Sequence, residues 1–92
     1  MKIRIIYSKE SEKFLSKNSN IITEDKVDKL LKSAARHIMF KENINIDLKK
    51  MKGSDQNLFR IRKGKVRILF NFVKNDIVIL TVEDIGFRGN IY

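Results

Sequence analysis

The chain has 92 residues, a formal net charge of +9, one His, no Cys and no Pro. That length supports one modest core and a single domain over residues 1–92. The missing Cys excludes disulfides, thiolate metal sites and thiol nucleophiles. His37 alone cannot build a zinc site, so no metal and no cofactor is expected. No apolar run approaches membrane-spanning length and the N-terminus lacks a signal-peptide shape, so a cytoplasmic protein without membrane contact is expected. The excess of Lys and Arg points to a polyanionic partner. It is spread along the chain, so the placement of the charges carries the information.

The first element is a β-branched, alternating strand, Lys2 to Tyr7. Ser8 then offers an N-cap to a short helix over about residues 9 to 17, whose apolar contacts are Phe14 and Leu15. Asn18-Ser19-Asn20 breaks it. Thr23 caps a second helix, with Glu24 and Asp25 in its electropositive first turn. Val27, Leu30, Leu31, Ala34, Ala35, Ile38 and Met39 form an i, i+3, i+4, i+7 stripe that ends near Phe40 and packs the helix on a sheet. His37 falls off that stripe and is read as a solvated surface residue. Lys41 to Asp55 is a connector with a short edge strand, Leu48 to Met51, closed by Gly53. Its Lys49, Lys50 and Lys52 either extend a positive face or are simply solvated.

Leu58 to Leu69 alternates basic and apolar residues on both sides of Lys63-Gly64, the pattern of a half-buried hairpin. Folded there, Arg62 faces Lys65, Arg60 faces Arg67 and Leu58 faces Leu69, while Phe59, Ile61, Val66 and Ile68 share the other face. A one-residue slip would set the apolar set against the basic set, so a loop of two or four residues is expected. Like charges directly opposite destabilise a sheet, and no acid occurs from 58 to 67. Four cations gathered at that cost suggest a site for RNA or DNA phosphate; a solvated basic face is the plainer alternative.

The second strand continues through Val73, and Lys74-Asn75-Asp76 signals a turn. Ile77 to Val82 is nearly unbroken apolar sequence, expected to be buried on both faces near the middle of the sheet. A three-residue loop would pair Ile68 with Val82 and Arg67 with Glu83, which would then orient Arg67. Gly86 and Gly89 bracket Phe87-Arg88, so the tail to Tyr92 is expected to turn and need not be a strand. The fold class is α+β: strand-helix-helix followed by a three-stranded antiparallel meander, with both helices on one face of a small sheet. The basic face stays open.

The C-terminal half carries Met51-Lys52-Gly53, Phe59-Arg60-Ile61-Arg62, Gly86-Phe87-Arg88 and Gly89-Asn90-Ile91-Tyr92 in that order. This ordered set resembles the RelE/ParE toxin superfamily, and the strand-helix-helix order of residues 1 to 40 is similar to that family's topology. The resemblance implies a toxin of a type II toxin–antitoxin pair. In the RelE branch that means a metal-independent ribonuclease cutting mRNA in the A site of the 70S ribosome. Its partners would be a cognate antitoxin and the translating ribosome, with DNA met only through the antitoxin complex. By position, Arg60 and Arg62 fall on basic strand residues of that branch, Arg67 on its phosphate-stabilising Arg, Arg88 on its C-terminal basic residue, and Tyr92 on its base-stacking aromatic.

RNA supplies its own nucleophile, the 2′-hydroxyl. A metal-free enzyme must hold it in line and stabilise the charge of the phosphorane, which the donor fork of Arg does well. The expected catalytic set is therefore Arg60, Arg62, Lys65, Arg67, Arg88 and Tyr92, with Phe87, Lys49 and Lys52 contacting substrate. Arg keeps its proton, so Lys65, beside Arg62 and Arg67, is the expected general base. Phe87 stands where many relatives have His, and Arg60 and Arg62 where Lys is common. A ParE-like poison of DNA gyrase without enzymatic activity, or an inactive basic RNA-binding module, are the alternatives.

Overall fold

The computed structural model describes residues 2–52 and 57–89. The chain order is β1 (Ile3–Tyr7), α1 (Lys9–Lys17), α2 (Glu24–Phe40), β2 (Asp47–Lys50), β3 (Leu58–Lys63), β4 (Val66–Lys74) and β5 (Val78–Phe87). The helix boundaries follow from their caps. Ser8 Oγ accepts from Ser11 N at 3.1 Å, and Thr23 Oγ1 from Lys26 N at 3.2 Å. Asn18 closes α1 by donating its backbone N–H and side-chain amide to the Phe14 carbonyl. At the end of α2, Lys41 takes a left-handed φ of 60° and donates to the His37 carbonyl, a position that favours Gly. His37 Nδ1–H in turn donates to the Glu42 carbonyl at 2.7 Å, tying the connector to the helix.

The strands form one five-stranded mixed sheet in the order β1-β5-β4-β3-β2, with β1 parallel to β5 and the other neighbours antiparallel. The expected meander is thus its centre, flanked by two edge strands. Both helices lie on one face. Val27, Leu30, Leu31, Ala34 and Ala35 of α2, with Leu15 of α1, pack on Ile61, Val66, Ile68, Phe70, Val78, Leu80 and Val82. The Tyr7 hydroxyl donates to Asp28, fastening β1 to α2; burial first, and then this bond, push the phenol pKa well above its ordinary value.

Four sequence expectations change. The edge strand runs Asp47–Lys50, not Leu48 to Met51, and Gly53 lies outside the described residues. The β3–β4 hairpin turns on Gly64-Lys65, with Lys63 opposite Val66, Arg62 opposite Arg67 and Arg60 opposite Leu69. Gly64 has φ +58°, the sign that two-residue hairpin turns require at the first loop position. The loop has the expected even length, so the faces are kept while every pair moves by two residues.

The run 77–82 is buried on its helix side only: Val78, Leu80 and Val82 are fully buried, whereas Ile79 and Thr81 are half-buried on the other. Finally, β5 continues to Phe87, past the end of the expected strand at Val82 and through Gly86 into the tail expected to turn. A bulge does this. Phe70 pairs with Val82 but Leu69 pairs with Asp84, leaving Glu83 as the extra residue. The N-cap of α1 holds it, since Ser8 N–H donates to the Val82 carbonyl at 3.1 Å and Ser8 Oγ to the Glu83 carbonyl at 3.0 Å. Ile68 therefore faces Ile85 and Arg67 faces Gly86, replacing the expected partners Val82 and Glu83.

Candidate nucleic-acid interface

Directly opposed residues on neighbouring strands point to the same side of a sheet. Two cross-strand rows on the face away from the helices follow from the register. One reads Asp47, Arg62, Arg67, Gly86 from β2 to β5, and the next reads Lys49, Arg60, Leu69, Asp84. Arg60, Arg62 and Arg67 thus share one surface, and no helix of the described residues packs on it. Opposed Cα atoms in such ladders are about 4.5–5.5 Å apart, so two guanidinium groups in one row can reach the same phosphate.

The three arginines differ in their surroundings. Arg60 is 5% exposed and Arg67 7%, which is unusual for guanidinium groups. Arg60 Nη2 donates to Asp47 Oδ1 at 3.0 Å, while Arg62 Nη1 lies 3.9 Å from Asp47 Oδ2. The Arg62 side chain is 35% exposed. The Nε atoms of Arg60 and Arg62 are buried and find no acceptor among the described residues. A buried donor without an acceptor has a desolvation cost that an incoming anion relieves. Arg60 is therefore a fixed, already neutralised cation, and Arg62 is the one with reach.

The other expected site residues divide. Lys49 is exposed on this face opposite Arg60, and Lys52 is exposed just past β2. Arg88 stands at the hairpin end of the row, its N–H donating to the Lys65 carbonyl at 2.9 Å and its Nη1 to the Gly64 carbonyl at 3.4 Å. Lys65 occupies the exposed turn and does not face Arg62. Phe87 is not on this surface: it lies opposite Val66 on the helix side, edge-on to Phe14 with centroids 5.1 Å apart. Tyr92 lies outside the described residues.

Sequence reasoning missed Asp47 and Asp84. Asp47 precedes Leu48-Lys49-Lys50 by one residue, but only the β2–β3 register brings it to Arg60, and a short, exposed edge strand does not declare its register. Asp84 reaches the face through the bulge, which no residue pattern announced.

The α+β fold defined by this mixed sheet and its two helices is that of the RelE-like toxins. The chain is similar to a copper-bound mutant toxin from Helicobacter pylori, with a TM-score of 0.62 and 18% identity over 97% of this chain and 98% of that one. It is also similar to a chain of the RelB–RelE antitoxin–toxin complex from Methanococcus jannaschii, with a TM-score of 0.53 and 23% identity over 95% of this chain and 94% of that one. No family model and no curated protein matches the chain.

Proposed function

We propose that this protein is the toxin of a type II toxin–antitoxin pair and acts as a ribosome-dependent mRNA endonuclease. The observation that carries the reading is the row Asp47–Arg62–Arg67–Gly86, which opposes two guanidinium groups on a sheet face that no helix of the described residues covers. The RelE-like fold and the antitoxin–toxin complex among its structural neighbours support it.

The RNA 2′-hydroxyl attacks the adjacent phosphorus and the 5′-oxygen of the next nucleotide leaves. Charge builds on the non-bridging oxygens, where donor forks aimed at fixed positions stabilise the transition state more than the ground state. Arg62 and Arg67 take that role. Arg60, held and neutralised by Asp47, stands behind them and ties β2 to the row. Gly86 ends the row without adding a side chain. Lys49 and Arg88 flank the row and track the neighbouring phosphates. Arg keeps its proton throughout, so the proton of the 2′-hydroxyl passes to water and water protonates the departing 5′-oxygen. The chemistry so described needs no metal. The cognate antitoxin would carry acidic residues to this face.

Primer extension on an mRNA translated in a purified system tests the reading. The expected result is new 5′ ends inside codons, present only when ribosomes translate the message. Inhibition of gyrase supercoiling without RNA cuts would replace it with the gyrase-poison reading. Neither effect would leave a binding module.

A further inference from the structure

Around the tip of the β3–β4 hairpin, on the helix side of the sheet, lies a second surface. Ile21, Ile22 and Val66 line a recess of about 310 Å³, and Lys26, Lys63 and Lys65 rim it. The loop from α1 to α2 forms one wall. That loop closes on itself, because the N–H groups of Ile21 and Ile22 both donate to the Asn18 carbonyl, at 2.8 and 3.1 Å. The tight turn at Gly64 forms the other wall. Ile21 is 38% exposed, one of only a few large apolar side chains of the described residues left open to water.

The charges around this recess stand apart from their neighbours. Farther along α2, Lys29 is paired with Asp25 and Arg36 with Glu42. Lys26, Lys63 and Lys65 form no ion pair among the described residues, and no carboxylate lines the recess. Three unneutralised ammonium groups around an aliphatic floor match a ligand that is itself aliphatic at its centre and anionic on both sides. A protein segment with Leu or Ile flanked by Asp or Glu has that form. Single-stranded RNA has the charge but not the match, since the floor offers no aromatic ring on which a base could stack.

We infer that the hairpin-tip recess is a docking site for a partner segment carrying an aliphatic residue between carboxylates. Its position gives the site a consequence. Lys63 and Val66 form the pair next to Arg62 and Arg67, about 3.3 Å farther along the strands but on the opposite face. A segment anchored here and continued over Gly64-Lys65 arrives at the arginine row within a few residues. The site itself does not depend on what that row does to RNA.

The test is methyl NMR of the full chain labelled at Ile and Val, titrated with the acetylated, amidated hexapeptide Glu-Asp-Leu-Leu-Glu-Asp. Expected are saturable shifts at Ile21, Ile22 and Val66 at or below about 1 mM peptide. Lys63→Glu or Ile21→Glu should weaken binding by about tenfold or more, while Lys29→Glu, whose cation is already paired, changes it by less than about twofold. Circular dichroism checks that each variant is folded. Absence of saturation, equal weakening by Lys29→Glu, or equal shifts at the same methyls with a uridine octamer would each overturn the inference; the last would make the recess a nucleic-acid surface.

Discussion

Along β3 and β4, alternate residues of the same strands face opposite environments. Ile61, Ile68 and Phe70 lie at 0% exposure against the helices, while Arg60 and Arg67 lie almost as deep on the other side at 5% and 7%. On the first face burial is its own reward, because apolar area leaves water and the ring of Phe70 stacks on Phe59 at 5.7 Å. On the second, burial has a cost that a carboxylate or another anion must offset. Stability should therefore track one face of these strands and polyanion chemistry the other. A substitution that disturbs both equally would break the contrast.

The largest expected effect is on the apolar side. Phe70→Ala removes a fully buried ring at the sheet centre and should cost about 3–5 kcal/mol in urea unfolding. A loss under about 1.5 kcal/mol would mean that the helices repack. Asp47→Ala comes next. It leaves Arg60 buried without its counter-ion, but the Asp47 side chain is 54% exposed, so the loss falls to about 1–2 kcal/mol from the larger cost of breaking a fully buried pair. Asp47→Asn keeps an acceptor and should lose less; equal losses would assign the effect to charge alone. Thr23→Ala, which removes the cap of α2 and touches neither face, should cost about 1 kcal/mol. Lys41→Gly relieves the left-handed residue at the end of α2 and should stabilise by about 0.5–1 kcal/mol, read as a rise in melting temperature.

The sequence made some of this visible and hid the rest for physical reasons. Ser8 and Thr23 announced both helix starts because a cap is a local hydrogen bond. Period-two alternation from Leu58 to Leu69 was enough to place Arg60, Arg62 and Arg67 on one side, since any even loop gives the same faces. It was not enough to choose among even loops, so the opposed pair is Arg62 with Arg67, and Lys65 sits in the turn. The parallel pairing of β1 with β5 joins residues 75 apart in the chain, and nothing in either strand names its partner. Phe87 reads as a substrate contact only if the tail leaves the sheet, as the bracketing Gly86 and Gly89 suggest; the bulge at Glu83 extends the strand and carries the ring onto Phe14. Asp47 became part of the site through register alone.

Arg62 is the direct probe of the central claim, because it is the arginine with reach and its side chain is only partly buried. Cleavage of a translated mRNA should be compared for the wild-type chain and Arg62→Ala at saturating ribosomes, with unfolding measured on the same samples. The account predicts a loss of cutting of about 100-fold or more while stability stays within about 0.5 kcal/mol. Cutting at the wild-type rate by a folded Arg62→Ala chain would contradict it.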